Sequence, residues 1–539
     1  MSKPDIQDLQ SYLSAREHLI TEDRALRLDN GLLQSASDEE LKAEQIIRTI
    51  RSEEAQIIWS KEHEGVPNTF PGMEFLSARS LVMKTKLFHI LSKMPKGALL
   101  HAHLDAMVNA SFLLKLGLEQ PAMHIRVPEA LNPSSIKSIL PEFKGLPRSH
   151  FTHAPSITAI DYKPGTWVHI RRARDTFDSQ LGGPEGFDAW VIGTLMINPS
   201  EAYKTHNSVK KIWEKFSSTF MVAAGLTRYA PIWPSYLREF LRSSIEDGIS
   251  YIETRVNFWE YEGEKCLIDE SGRATVTSLE FVQMFDEAVN EIKAEMDSQG
   301  RGDEFIGARI IYSTLRILAP DDLEWYLADC IQLKLAFPHV IAGFDLVGDE
   351  NVLYPLTHYL EPLLRFKKRV EELQLELPFI LHAGETLGDG SAADNNLYDA
   401  ILLGTKRIGH GFSLAKHPKL IEIVKKENIT IEVCPISYEI LRLTSSMPAH
   451  PLPILINQGV PVALCSDDPA VFGNMGLSFD FFQVLVSSDV TGLITLGGLA
   501  RQSIEGSTLS KDTKAVALAA WERQWAIFIH KIIDGSLLS

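Results

Sequence analysis

The sequence predicts a closed (β/α)8 TIM-type barrel that carries an N-terminal helical region and an inserted subdomain. Three observations lead there. After residue 96, eight short β-rich apolar runs recur, each closing in polar or charged residues. Amphipathic stretches at helical spacing separate them, an alternation that builds a parallel sheet wrapped in helices. No glycine-rich dinucleotide fingerprint accompanies a strand-to-helix turn, which disfavours an open doubly wound sheet.

The first 95 residues read as helix. "SASDEELKAEQIIRTIRSEEAQIIW" opens on a capping-box pattern from Ser37 to Glu40, able to satisfy first-turn amides. Ala43, Ile46, Ile47, Ile50, Ile57 and Ile58 then trace an apolar stripe, to be buried against the main domain or another subunit. The barrel proper is assigned to 96–539. Its strands are expected in "GALLHAH" (97–103), "SYIETRV" (250–256), "GARIIYS" (307–313) and "VIAGFDLVG" (340–348). The remaining four are "PFILHAGE" (378–385), "RIGHG" (407–411), "TIEVCPIS" (430–437) and "PVALCSDDP" (461–469). Helices such as "SYLREFLRSSIEDG" and "SLEFVQMFDEAVNEIKAEM" lie between. One interval is too long for a single crossover: the stretch 120–205, rich in Pro/Gly clusters ("KGLPRSH", "YKPGTW", "LGGPEGF"), is expected to be an inserted subdomain after strand 1.

Composition bounds the function. The chain has 539 residues, 45% hydrophobic and 23% charged, as in ordinary globular proteins. A formal charge of −17 argues against nucleic acid or an anionic membrane as partner. "HIRRARD" (169–175) is the one dense basic run and reads as a solvated helix face. No apolar run approaches bilayer-spanning length, and the N-terminus shows no basic-then-apolar leader. Four cysteines, Cys266, Cys330, Cys434 and Cys465, do not make a disulfide framework, so the chain is expected to be cytoplasmic.

The ionisable residues of the strands gather at one end. Alternation sends His101 and His103 to the same face. A barrel brings them into one ring with His382 and Glu385 of "HAGE", His410 of "RIGHG", and Asp467 and Asp468 of "SDDP". Three imidazoles and a carboxylate (His101, His103, His382, Asp467) suit a divalent ion such as Zn²⁺ with one open position. Strand 4 holds no lysine and only Asp345, so no bridging ligand is at hand and one metal per chain is expected. His410 then suits the base that takes a proton from water, or a structural histidine. Glu385 suits a proton donor, or a solvated loop carboxylate. Asp468 suits an acceptor of a hydrogen bond from substrate, or a helix N-cap before Pro469.

"PKGALLHAHLDA", "GFDLVGDE", "FILHAGE", "TKRIGHGFSLAKHP", "IEVCPIS" and "SDDPAVFG", in this order, resemble the adenosine deaminase superfamily. The likeness is strongest to the adenosine deaminase-related growth factor group, the extracellular-type adenosine deaminases. It runs from the N-terminal helices to "WERQWAIFIHKI". The resemblance implies a metal-dependent hydrolase barrel with one zinc, converting adenosine or 2′-deoxyadenosine to inosine or deoxyinosine and ammonia in purine metabolism. It implies His101, His103, His382 and Asp467 as zinc ligands, Glu385 as proton donor to purine N1, and His410 as the residue that orients the attacking water. Asp468 would accept at N7, the Gly348 amide would donate to N3, and Asp105 would bind sugar hydroxyls. Trp213 of "KIWEKF" resembles the group's pocket tryptophan, with a core aromatic as its alternative. The N-terminal region, 1–95, would serve a homodimer.

The chain departs from the secreted group in having no leader and no cysteine in the inserted stretch. The zinc deaminases that act on bases in nucleic acids use a different, Pro-Cys-x-x-Cys site, which this sequence does not contain. Two other readings stand beside adenosine deamination. One is a deaminase of AMP, adenine or an N6-substituted adenosine. The other is a growth-factor-like nucleoside-binding protein, which would have no need of Glu385.

Overall fold

The computed structural model describes residues 8–147, 149, 155–258 and 266–537; of "KGLPRSH", Arg148 and His150 lie outside them. Eight parallel strands form its centre: β1 (Gly97–Leu99), β2 (Ile249–Asn257), β3 (Gly307–Leu315), β4 (Ile341–Val347), β5 (Ile380–Ala383), β6 (Arg407–His410), β7 (Thr430–Val433) and β8 (Val462–Leu464). Each lies inside, or within two residues of, one of the eight runs expected from the sequence. Neighbours in the sheet are neighbours in the chain, β1 to β4 and β5 to β8. Two seams join the halves. Phe344 of β4 pairs in parallel with Phe379, and Ala102 past β1 pairs in parallel with Asp467 past β8. At the second seam the His103 amide donates to the Asp467 carbonyl at 3.2 Å and the Asp467 amide to the His101 carbonyl at 3.1 Å. The residues at this second seam are among those expected to do the chemistry.

Helices cover the outside because each has one apolar face. Trp233–Glu246 buries Trp233, Tyr236, Leu237, Phe240, Leu241 and Ile245, at spacings of three and four. Inside the ring the residues are charged. Glu253, Arg255, Asp345, Arg407 and Glu432 are all fully buried. Buried ions are tolerable only when paired and hydrogen-bonded. Glu432 accepts from Arg407 Nε at 2.6 Å and from Arg255 Nη2 at 2.8 Å. Asp345 accepts from Arg255 Nε at 2.7 Å. Glu253 meets Arg407 Nη2 at 2.7 Å and accepts from the Thr508 amide at 2.6 Å.

The helix Asp38–Glu54 begins with the Ser37–Glu40 capping box and docks on the barrel itself. Glu44 accepts from the Ile494 amide at 3.0 Å, and Arg51 donates to the carbonyls of Leu485, Ser488 and Thr491. Ala43, Ile47 and Ile50 of the expected stripe are buried, but Ile57 is 56% exposed. A π-turn at Ala55–Trp59 rotates the face, and Trp59 takes the buried position instead. The helix Leu9–Arg24 buries none of its residues and leaves Leu9, Tyr12, Leu13, Leu19 and Ile20 exposed. Between β1 and β2, Met123–Arg126 is the middle strand of a small antiparallel sheet, flanked by Glu142–Gly145 and Val168–His169. Strands of two to four residues are too short for alternation to be read in sequence.

Candidate active site

At the C-terminal mouth of the barrel four imidazoles gather. Ring centroids lie 4.6 Å apart for His101 and His382, 4.4 Å for His101 and His410, and 5.4 Å for His103 and His382. The extended backbone past β1 carries His101 and His103 inward, and β5 carries His382. His410 ends β6 and Asp467 lies three residues past β8, both with left-handed backbone (φ 66° and 61°). Non-glycine residues seldom adopt this conformation, and here it turns both side chains into the mouth.

Carboxylates fix the rings from behind. His101 Nδ1 lies 2.8 Å from Glu432 Oε2, and His382 Nδ1 lies 2.6 Å from Asp345 Oδ2. With Nδ1 protonated toward its carboxylate, each ring turns the Nε2 lone pair to the centre. His101 Nε2 and His103 Nε2 each stand 3.4 Å from Asp467 Oδ1, whose partner Oδ2 accepts from Ser437 Oγ at 2.7 Å. Donor atoms of His101, His103 and His382 lie within 4.8 Å of one another. Burial holds His103 down to about 3, against the pull of Asp467. Burial and the neighbouring His101 hold His382 well below the usual imidazole range. Asp467 is buried too, but the imidazoles of His101, His410 and His103 around it hold its carboxyl well below the usual range. Three imidazole nitrogens and a carboxylate, convergent and dry, fit a single divalent ion. Cys434 is within reach of His101, His410 and Asp467, but burial and Asp467 push its thiol up.

Glu385 is buried rather than solvated, and its pKa is raised well above the usual range by burial, then by Asp467, Glu350 and Asp349. Its Oε2 stands 3.6 Å from His410 Nε2, and its Oε1 has no partner among the described residues. The rise favours the protonated carboxyl, and Oε1 is left open to a ligand. Burial, with His101 next, holds His410 well below the imidazole range, so it is a neutral base. Asp468 sits at the N-cap of Pro469–Phe472, but its side chain makes no capping bond. Burial, Asp467 and Asp105 raise its pKa well above the usual range. The rise favours the protonated carboxyl, which can donate a hydrogen bond.

Asp105 lies in the short turn Leu104–Ala106, two residues past His103, and burial lifts it to about 6 against the pull of Arg228. Gly348 follows β4 at φ 112°, and a Cβ there would sit 2.7 Å from Leu353 Cδ1, so only glycine fits. Trp213, on Val209–Thr227, packs edge-on to Phe216, which stacks on Phe472 just beyond Asp468. Its buried indole N–H has no partner among the described residues.

The structure adds residues that sequence reasoning passed over. Asp345, Glu432 and Arg255 orient the histidines. Glu350 accepts from the amides of Gly384 and Glu385 at 3.1 and 2.9 Å and from Asn396 Nδ2 at 2.6 Å, which fixes the loop bearing Glu385. Arg316 donates to the His382 carbonyl at 2.8 Å and approaches Glu350 at 3.5 Å. The available signal was a charge inside an apolar strand, as in "AGFDLV", "TIEVC" and "YIETRV".

A family profile described as "Adenosine deaminase" matches residues 197–520. The chain is 33% identical to adenosine deaminase 2 of Homo sapiens over 524 residues, 96% of this chain and 93% of that one, and 32% identical to adenosine deaminase 2 of Sus scrofa over 467 residues, 86% and 85%. Among solved structures, the N6-methyl-AMP deaminase of Arabidopsis thaliana superposes with a TM-score of 0.52 at 16% identity, covering 81% of this chain and 98% of that one. An amidohydrolase from Burkhoderia ambifaria with bound Zn gives 0.50 at 16% identity, covering 83% and 94%.

Proposed function

Because this chain belongs to the adenosine deaminase family of hydrolytic deaminases, we propose that it converts adenosine or 2′-deoxyadenosine and water to inosine or deoxyinosine and ammonia at one zinc ion. The observation that carries this reading is the convergence of His101, His103 and His382, with Asp467 against the first two, beside the buried carboxyl of Glu385. Zinc held by those four would lower the pKa of water to near 7 and supply the nucleophile at neutral pH.

The chain's own residues supply the rest. His410, neutral and facing the same centre, takes the proton of the attacking water. Glu385 gives its proton to N1 of the purine, so that electron density leaving the C6–N1 bond is neutralised as water adds at C6. The purine N7 offers only a lone pair, and protonated Asp468 donates to it. The Gly348 amide donates to N3. The proton that His410 has taken passes to the exocyclic nitrogen, which departs as ammonia, and the hydroxyl added at C6 gives up its proton on becoming the carbonyl, which restores the proton that Glu385 gave to N1. Asp105 accepts from a sugar hydroxyl, and Trp213 closes the pocket.

Asp105 sets the choice of substrate. A carboxylate near the sugar's 5′ end accepts from a hydroxyl but repels a phosphate in a partly dry pocket, at a cost of several kcal/mol. A panel of adenosine, 2′-deoxyadenosine, AMP, adenine and N6-methyladenosine tests this, read by absorbance near the adenine band and by ammonia release. The two nucleosides should exceed AMP by at least about a hundredfold in kcat/KM. Preference for AMP would reject the reading. The exposed face of Leu9–Arg24 is where we expect a second copy in a symmetric homodimer. A monomer mass in light scattering at micromolar concentration would rule that out.

A further inference from the structure

We propose that a cleft on the opposite face of the barrel binds a phosphate-bearing ligand of nucleotide size. The cleft has a volume of about 520 Å³, within the range of roughly 300–1,000 Å³ typical of small-molecule sites. It opens at the N-terminal ends of β3 to β6, far along the barrel axis from the histidines. Arg309, Lys367, Lys406, Lys511 and Lys514 line it, against Glu371 and Glu376. In a chain of net charge −17, five cations around one cleft are a strong local reversal.

Part of this charge serves the fold. Helices end on this face, and their C-terminal carbonyls favour cations. Lys367 Nζ donates to the Leu403 carbonyl at 3.0 Å, Lys514 Nζ to that of Glu505 at 2.7 Å, and Arg309 to that of Thr508 at 3.0 Å. Carbonyls satisfy donors without cancelling charge. Lys406 and Lys511 have no such task. Lys406 opens onto the cleft just before β6, and Lys511 is the first residue of the helix Lys511–Ile533, where the backbone dipole disfavours a cation. Both are exposed and neither forms an ion pair among the described residues. Burial, then the like charge of Lys406, pushes the Lys514 ammonium down. An anion would relieve that repulsion.

The other wall is apolar: Leu375, Leu377 and Pro378 line it, with Phe366 and Phe379 buried behind them. A cationic side facing an apolar one matches a ligand with phosphates at one end and a weakly hydrated group, such as the base of a nucleotide, at the other. A nucleoside triphosphate has that chemistry.

The test is calorimetry on the zinc-loaded enzyme with ATP and with inorganic tripolyphosphate, repeated on the double variant Lys406→Glu, Lys511→Glu. Both substituted side chains are exposed, so fold and adenosine turnover should be unchanged, checked by thermal melting and by kinetics. ATP should bind once per chain, at least about tenfold more tightly than tripolyphosphate, and the double variant should weaken it at least about tenfold. Three results would overturn the proposal: no saturable ATP binding up to millimolar concentration, equal affinity for ATP and tripolyphosphate, or ATP binding that competes with adenosine and survives the double substitution. The last would mean that ATP enters the reaction centre instead.

Discussion

Replacing Arg255 by methionine removes the one cation that touches both carboxylates behind the metal-site histidines. Its Nε donates to Asp345 at 2.7 Å and its Nη2 to Glu432 at 2.8 Å, while Asp345 holds His382 and Glu432 holds His101. All five side chains are buried. Loss of one member of a buried ion pair costs about 3–5 kcal/mol, because the remaining charge has no compensation. Arg407 still holds Glu432, so Asp345 suffers most. Without Arg255, Asp345 loses the partner that fixes its Oδ2 and no longer holds His382 Nδ1 in place. Losing one orienting partner of a metal-bound histidine lowers metal affinity by about 10–100-fold. With His382 disturbed fully and His101 in part, the expected loss for Arg255→Met is about a hundredfold. Arg255→Lys keeps the charge but reaches one carboxylate at a time, and should fall between. The assay is zinc competition against a chromogenic chelator, with circular dichroism to verify the fold. Zinc affinity within about twofold of wild type in both variants would refute the reasoning.

Glu385→Gln should lower kcat at least about a hundredfold while zinc content and KM change far less, because the amide keeps the shape and loses the proton; loss of zinc instead would make Glu385 a support of the metal site. Asp105→Asn should narrow the gap between adenosine and AMP by slowing the nucleoside and relieving repulsion of the phosphate. Since Asp105 titrates at about 6, that gap in the wild type should also narrow below pH 6 as the carboxyl takes up its proton, measured as paired kcat/KM values. Glu439, lifted to about 8 by burial despite hydrogen bonds from the Phe75 amide and Tyr203, should make stability fall as pH rises. The folded state then holds one more proton than the unfolded state between about pH 4.5 and 8, a slope of at most about 1.4 kcal/mol per pH unit. Denaturant unfolding of Glu439→Gln should lack that slope, and an unchanged slope would clear Glu439 of the role.

The barrel was legible because each strand is a short apolar run that ends in polar residues, a pattern that survives without tertiary information. The site was legible for a related reason: His101, His103, His382, His410 and Asp467 all sit at or just past strand ends, and a barrel converts that common position into proximity. The supporting shell was less visible. Glu432 and Asp345 lie within strands, and only their pairing across the ring shows that they serve the histidines. Ile57 was misread because a π-turn leaves no mark in the spacing of apolar residues. The small sheet built on Met123–Arg126 went unread because its strands are shorter than any detectable period.

Stepwise return of zinc to metal-free protein, with adenosine turnover followed at each addition, tests the central claim most directly. Four convergent ligands without a bridging group predict activity that rises in proportion to zinc and levels off at about one ion per chain. Full activity in the metal-free protein, or a rise that continues to two ions per chain, would contradict it.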